Sequence, residues 1–156
     1  MNERTAERLS QEQLAPYLSP YLTGGYKSDT LVIREATVGG GKIVATVEVV
    51  ERFVSPQTGE FHLAVPVAMC VLFQVAIVYG CWNSGFDRKV GEIYLRKLDI
   101  TCRREVTSLI FDCEVIEKHR RSSAGMTWYQ GDFSMAGGSF HGAASFVMPS
   151  RDSTAL

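Results

Sequence analysis

The chain has 156 residues, 46% of them hydrophobic, and a net charge of −1 with a pI near 6.3. This length and apolar content fit one domain with a sizeable core, so we expect a single domain over residues 1–156. The near-neutral net charge argues against a dedicated nucleic-acid surface, which would be basic.

The first 29 residues are predicted to form a segment that covers a pocket rather than part of the core. Glu3–Leu14 favours a short helix, and Pro16 and Pro20 would stop it. A stretch rich in tyrosine, proline and glycine follows, and Tyr21 lies in it. The N-terminus has no apolar h-region, which indicates no secretory signal. We therefore expect a cytoplasmic protein whose four cysteines are reduced and buried.

Strand-like segments make up most of the remaining chain. Thr30–Val38 and Ile43–Phe53 are predicted strands, and the glycine run Gly39–Gly41 between them is typical of a hairpin. In the second strand, alternate apolar residues from Ile43 to Val49 share one face. The later predicted strands are Glu92–Arg103, Thr107–His119, Met126–Met135 and Ser139–Met148. Residues 151–156 are expected to form a flexible tail.

The chain between these two groups of strands is almost wholly apolar. Leu63–Tyr79 carries no charge, and Gln74 is its one polar side chain. We predict a helix over Ala64–Tyr79, with Pro66 near its start and Gly80 closing it. It is too short for a membrane span, which needs about 20 apolar residues. A helix that is apolar on nearly every face is enclosed by its own protein.

One buried helix among antiparallel strands is the hot-dog architecture, an α+β fold in which a curved antiparallel sheet wraps a central buried helix. Long edge strands invite association. We therefore expect a homodimer or a higher even oligomer, with pockets near the subunit boundary. No membrane partner is expected.

Several short motifs resemble those of the FcoT-like long-chain acyl-CoA thioesterases, a family of the hot-dog superfamily. Thr58-Gly59 followed by Phe61 resembles the family's TGxF entry to the helix, and Pro20-Tyr21 matches its proline–tyrosine pair. Glu114–Glu117 resembles a VIE strand, and Gly137–Ala144 falls at a final hairpin rich in glycine and alanine. The resemblance implies an enzyme acting on fatty acyl thioesters of acyl carrier protein or coenzyme A. No cofactor is implied beyond the phosphopantetheine that arrives as part of the substrate.

A branch of these thioesterase-like proteins adds an amine such as glycine to α,β-unsaturated acyl thioesters. Resemblance to that branch implies Michael addition of an amine, thioester hydrolysis, or both, in β-amino acyl biosynthesis. Three alternatives remain. One is a plain long-chain acyl-CoA thioesterase, and another is a non-catalytic hot-dog protein that binds acyl chains. The third is a FabZ-type dehydratase, which Phe61-His62 and Pro66–Leu72 resemble, although Gln74 or Val75 stands where that family has its acid.

His62 is the candidate catalytic residue. It stands where the thioesterases have an asparagine, at the junction of loop and helix, near backbone N–H groups that lack intrahelical partners. Those donors and the helix dipole stabilise negative charge on a thioester carbonyl. A neutral imidazole beside them accepts a proton from water or an amine. The three histidines show no HxH or HxxxH spacing, so no metal site is predicted.

The other predicted site residues fall into two groups. Candidates for substrate binding are Tyr21, Phe53, Gly59, Phe61, Val71, Gln74 and Val75. We expect the Gln74 amide to be buried and hydrogen-bonded. Basic clusters in turns are either solvated faces or contacts to phosphopantetheine or the carrier; their residues are Arg88, Lys89, Lys118, Arg120 and Arg121. His119 and His141 are interpreted as structural or exposed.

Overall fold

The structure is a computed structural model that describes residues 30–52, 54–86, 88–89 and 91–150. The predicted N-terminal helix, Tyr21, Phe53 and the tail from residue 151 lie outside the described residues. Predictions about them therefore stay predictions.

Six strands and one helix make up the described part of the chain. They are β1 (Thr30–Gly39), β2 (Lys42–Glu51), α1 (Val65–Asn83), β3 (Tyr94–Cys102), β4 (Ile110–Ser123), β5 (Met126–Met135) and β6 (Phe140–Pro149). The strands form one sheet in the order β1-β2-β4-β5-β6-β3, with antiparallel pairing throughout. One face of this sheet packs against α1, so the predicted hot-dog fold is confirmed.

The glycine run forms the turn of the β1–β2 hairpin. Gly40 and Gly41 form the turn with φ values of 59° and 76°, the left-handed conformation that a two-residue I′ turn requires at both positions. The predicted inner face of β2 is confirmed, because Ile43, Ala45, Val47 and Val49 are all at most 2% exposed.

The helix is longer than predicted. It runs from Val65 to Asn83, so the predicted end at Tyr79 and the closing role of Gly80 are wrong. Gly80 instead lets the helix approach β6, because a Cβ there would lie 2.8 Å from Met148 Sδ and 3.1 Å from Phe146 Cε2. A glycine that looked like a stop signal is a close-packing position inside the helix.

The sheet covers one side of α1 and leaves the other open. Val67, Val71 and Val75 are at most 3% exposed, whereas the i, i+4 series Cys70, Gln74, Val78 and Trp82 is exposed. We call this series the open stripe. The helix is apolar enough to cross a membrane, with mean hydropathy 1.9, but half of that window is buried inside the protein. It is therefore the core helix of this fold.

Strand β4 differs most from its predicted bounds, since it runs to Ser123 rather than ending at His119. The basic residues Lys118–Arg121 therefore lie in a strand, and their predicted placement in a turn is wrong. The β4–β5 register shifts between Glu117 and His119, opposite Gly131 and Gln130. This bulge needs Gly131, because a Cβ there would lie 2.5 Å from the Ile116 carbonyl oxygen.

The bulge changes which β4 side chains face the helix. Before it, Phe111, Cys113 and Val115 alternate inward, and Glu117 continues that face. Beyond it, Arg120 pairs with the buried Tyr129 and so faces inward as well. Consequently His119 and Arg121 point to the outer face.

A polar cluster closes the core at the C-terminal end of α1. The Tyr79 hydroxyl donates to Glu117 Oε2 at 2.8 Å, and Asn83 Nδ2 donates to the same oxygen at 3.3 Å. Arg120 Nε lies 3.7 Å from Glu117 Oε1. Burial, assisted by the Glu117 carboxylate, raises the pKa of Tyr79 above its usual 10.0. The cluster gives a mostly buried carboxylate several donors.

Replacing Tyr79 with Phe should lower the free energy of unfolding by about 1–3 kcal/mol near neutral pH, because Glu117 loses a charge-assisted hydrogen bond. The folded-state pKa of Tyr79 is raised, so as pH rises above about 10 the unfolded chain loses this proton first and stability falls. Tyr79→Phe should therefore show a shallower alkaline decline than wild type in urea unfolding. Tyr94→Phe, at a 53% exposed position, is the control; equal slopes for wild type and Tyr79→Phe would contradict this assignment.

The predicted burial is confirmed for only two of the four cysteines. Cys81 and Cys113 are buried, whereas Cys70 and Cys102 are exposed. Cys70 is exposed because it belongs to the open stripe, a face that composition alone could not distinguish from the packed one. Burial raises the pKa of the Cys113 thiol to about 12, which keeps it protonated and unreactive.

Candidate active site

His62 lies between two buried apolar anchors just before α1. Phe61 and Leu63 are 5% and 4% exposed, and the Leu63 N–H donates to the Val106 carbonyl at 2.8 Å. Because the neighbours of His62 are held in the core, its imidazole is presented from a fixed backbone. The side chain itself is 32% exposed, so it is accessible to a substrate.

Glu105 is a partner that the structure places beside His62. His62 Nδ1 and Glu105 Oε1 are 3.9 Å apart. The Leu63–Val106 hydrogen bond joins the residues that follow each of them, which sets the two side chains next to each other. Nothing in the sequence pointed to Glu105, which stands in an ordinary charged loop after β3.

The loop that carries Glu105 is anchored by its neighbour Arg104. Arg104 Nε donates to Ser139 Oγ at 3.0 Å, and its Nη2 donates to the Gly137 carbonyl at 3.0 Å. Ser139 Oγ in turn donates to the Ala136 carbonyl at 2.7 Å. The β5–β6 turn therefore holds the loop in place.

The start of α1 offers fewer free donors than predicted. The N–H groups of Val67 and Ala68 both donate to the Ala64 carbonyl, at 3.0 and 2.9 Å. Pro66 has no N–H, which leaves the Val65 N–H as the donor of the first turn. The N-cap residue Ala64 provides no side-chain hydrogen bond, and the first turn has no acidic residue. Its positive dipole end is therefore not neutralised by a side chain of that turn.

A cavity of about 350 Å³ opens on the β1–β2 side of α1. Val71 and Gln74, both predicted to bind substrate, line it with Leu31, Ile33 and Val47. Gln74 is exposed, so the expectation of a buried amide is wrong: it belongs to the open stripe. Val75 is fully buried, at 0% exposure, and does not line this cavity.

A smaller and more enclosed cavity of about 170 Å³ lies on the other side of α1, towards β3 and β6. Every side chain that lines it is apolar. They are Leu72, Phe73, Ala76, Ile77, Ile93, Leu95, Ala144 and Phe146. Sequence reasoning missed this cavity, because it forms only when the last strand and the edge strand β3 meet the helix.

Two other predicted binding residues, Gly59 and Phe61, line a third groove of about 370 Å³ together with Thr107 and Leu109. The predicted substrate-binding residues within the described part of the chain are therefore distributed around the helix and its entry. They do not form one continuous wall in a single copy.

The predicted carrier contacts lie away from His62 and are partly paired. Lys118 Nζ is 3.3 Å from Asp132 Oδ2, and Lys89 Nζ is 3.8 Å from Glu92 Oε2. Arg120 faces Glu117. Lys118 and Arg120 lie near the C-terminal end of α1, whose 19 residues span about 28 Å. They are therefore roughly a helix length from His62. Arg88 is exposed.

The remaining histidines are in strands. His119 is exposed on the outer face of β4. His141 lies in β6, and its Nδ1 is buried without a hydrogen-bond partner in the described part of the chain. Among the described residues, no group of three or more His, Cys, Asp or Glu side chains is placed to hold a metal ion.

No family model matches the chain, and no curated protein matches it. Among solved structures, it is similar to a thioesterase from Haemophilus influenzae, with a TM-score of 0.49 and 14% identity, covering 92% of this chain and 93% of that one. At this identity the likeness concerns the fold alone. The hot-dog assignment rests on the helix and sheet described above.

Proposed function

We propose that the protein is an acyl-thioester hydrolase of the hot-dog fold in which His62 is the general base. The juxtaposition of His62 and Glu105 at the start of an apolar helix, 3.9 Å apart, carries this proposal. The apolar cavities on both flanks of α1 and the TGxF-like entry support an acyl substrate.

In this proposal His62 takes a proton from a water molecule, whose oxygen forms a bond to the thioester carbonyl carbon. The Val65 N–H and the positive end of α1 stabilise the resulting oxyanion. When the carbonyl re-forms, the carbon–sulfur bond breaks. The imidazolium gives its proton to the leaving thiolate, with the Glu105 carboxylate 3.9 Å from its Nδ1.

Amine addition is the second candidate, because the same groups would serve it. His62 would remove a proton from an ammonium such as that of glycine, and the amine nitrogen would bond to the β-carbon of an enoyl thioester. The Val65 N–H would stabilise the enolate oxygen, and the imidazolium would protonate the α-carbon. The TGxF-like entry and the replacement of the family's asparagine by His62, a proton acceptor, favour this reaction.

The test is mass spectrometry of crotonyl and palmitoyl thioesters, on coenzyme A and on acyl carrier protein, incubated with the protein with and without glycine. Free acid released without glycine supports hydrolysis, and a product heavier by one glycine supports amine addition. If no thioester is consumed above the rate without protein, the enzyme proposal fails and the acyl-binding alternative replaces it.

The acyl chain is proposed to enter the cavity on the β1–β2 side, which Val71 and Gln74 line. Val71→Phe should shorten the longest acyl chain accepted, because the ring fills part of about 350 Å³. Ala76→Phe is the matched control, since it fills the 170 Å³ cavity on the other flank of the same helix. Turnover across even-numbered chain lengths measures both. Shortening by Ala76→Phe alone would place the acyl chain on the β3–β6 side instead.

We also propose that the protein is a homodimer or a higher even oligomer and acts in the cytoplasm. The open stripe, in which Trp82 is 54% and Val78 38% exposed, and the division of the predicted binding residues support a second copy at the site. Light scattering at micromolar concentration should give at least twice the monomer mass of 17.3 kDa, and a stable monomer would contradict this.

A further inference from the structure

A concave groove of about 270 Å³ lies on the sheet at the end where α1 finishes. Its residues are His119, Arg120, Arg121, Trp128, Tyr129, Gln130 and Ser145. Tyr129 faces the helix, where its ring meets Tyr79 edge-on at 6.2 Å. Its neighbours Trp128 and Gln130 therefore point away from the helix, so most side chains of the groove stand on the outer face.

Strand register arranges these side chains in two rows. Ser145, Gln130 and His119 are successive cross-strand partners on β6, β5 and β4, and Trp128 pairs with Arg121 one rung further along. Both rows share the outer face, because directly paired residues lie on the same side of a sheet. The groove is thus built from hydrogen-bonded strands, which hold its shape without a ligand.

The groove offers donors and positive charge without a carboxylate. Its lining contains no Asp or Glu, and Lys118, which does have a carboxylate partner in Asp132, is not part of it. Arg121 has no ion pair within the described residues. Arg96, which is not among the lining residues, adds a further guanidinium, with its Cζ 5.3 Å from the centre of the Trp128 ring. Its charge is directed to an aromatic face rather than to an acid.

Trp128 makes the groove more than a basic patch. It is 39% exposed, and an indole beside guanidinium groups forms a surface on which a planar base stacks. Arg121, Gln130 and Ser145 supply hydrogen-bond donors for phosphate oxygens. The volume lies just below the range of small-molecule sites, about 300–1,000 Å³. It therefore suits a ligand of mononucleotide size rather than a macromolecular surface.

We propose that this groove binds a nucleotide phosphate, with the base against Trp128 and the phosphate at Arg121 and His119. The site is distinct from His62, which lies about a helix length away within the same copy, so it does not require His62 to be catalytic. It also changes the predicted phosphate contacts. Arg121 stays a proposed phosphate contact, and Arg96 and His119 are added as new ones. Lys118 and Arg120 are removed from the set, because each faces its own carboxylate.

The experiment is a fluorescence titration of the full chain carrying Trp82→Phe, in which Trp128 is the only remaining tryptophan of two. Adenosine 3′,5′-bisphosphate is expected to change the Trp128 emission saturably. Adenosine and inorganic phosphate should each bind at least about tenfold more weakly, since each lacks one half of the interaction. Equal affinity for adenosine would overturn the phosphate site, and equal affinity for inorganic phosphate would overturn the nucleotide assignment.

Variants locate the binding. Arg121→Ala and Arg96→Ala should each weaken the bisphosphate by about tenfold or more, whereas Lys118→Ala should leave it within about twofold because that lysine is paired with Asp132 and does not line the groove. Circular dichroism and thermal unfolding check that each variant is folded. If Arg121→Ala does not fold, Arg121→Lys replaces it in the binding measurement. His62→Ala should bind as wild type does, which separates this site from the proposed reaction. No saturable change with wild-type groove residues, or full binding by both arginine variants, would overturn the proposal.

Discussion

Alanine at position 62 is expected to lower thioester turnover by about 10²–10⁴-fold, the usual effect of removing a positioned general base. Binding of the acyl chain should change little, because the cavities beside α1 do not include His62. The effect should therefore appear mainly in kcat. His141→Ala is the matched control, since it removes an imidazole that the proposed reaction does not use. Wild-type rates of both hydrolysis and amine addition in His62→Ala would make His62 structural.

Two further substitutions separate the role of His62 in amine addition from its role in hydrolysis and test the role of Glu105. His62→Asn restores the residue type of the thioesterases and should depress amine addition more than hydrolysis, because an amide cannot accept the ammonium proton. Glu105→Gln should lower thioester turnover by no more than about fivefold. Glu105 is 66% exposed, and exposed ion pairs contribute about 1 kcal/mol at most. A loss as large as that of His62→Ala would mean that Glu105 itself contacts the substrate.

Gly142→Ala is expected to have the largest effect on stability. A Cβ at this position in β6 would lie 1.9 Å from the Asp99 carbonyl oxygen and 2.8 Å from its carbon. Both atoms are backbone, so relief requires β3 to move away from β6. Overpacking of this kind costs about 1–3 kcal/mol and sometimes more, and we expect the upper end with loss of the β3 edge.

Gly39→Ala is the matched control for this prediction. Its φ of 150° is close to the 158° of Gly142, but no atom lies within 4 Å of the Cβ that would be added. The difference between the two variants in urea unfolding therefore isolates the contact with Asp99 from any cost of backbone conformation. Equal destabilisation would show that the close approach of β3 and β6 is relieved at no cost.

Much of the fold was predictable because turn residues and the alternation of apolar residues are visible within short stretches of sequence. The β1–β2 hairpin was readable from its glycines, and β5 was predicted with its observed bounds. The end of α1 was not, since the sequence cannot show that Gly80 meets Phe146 and Met148 rather than solvent. The sequence also could not show that β4 continues past His119, because a run of charged residues is typical of a turn. The strand continues there because Gly131 on β5 accommodates a bulge.

The candidate site was predictable only where a motif was continuous in sequence. His62 stood out because it follows the TGxF-like entry. Glu105 could not be found, since its meeting with His62 depends on one long-range hydrogen bond between Leu63 and Val106. Gln74 was misjudged because composition indicates that a helix is apolar, but not which of its faces the sheet leaves open.

The bulge in β4 links two regions of the protein through a single residue. With the extra residue, Arg120 meets Glu117 inside the sheet while His119 and Arg121 stand outside it. In a regular strand, residues three positions apart lie on opposite faces, so the extra residue Lys118 is what lets Arg120 share the inner face with Glu117. Because His119 already pairs with Gln130, deleting Lys118 would close the bulge without exchanging the faces of the residues that follow. Lineages of this protein that lose this residue would therefore keep the groove and no longer need glycine at position 131, where the bulge brings the Ile116 carbonyl oxygen close.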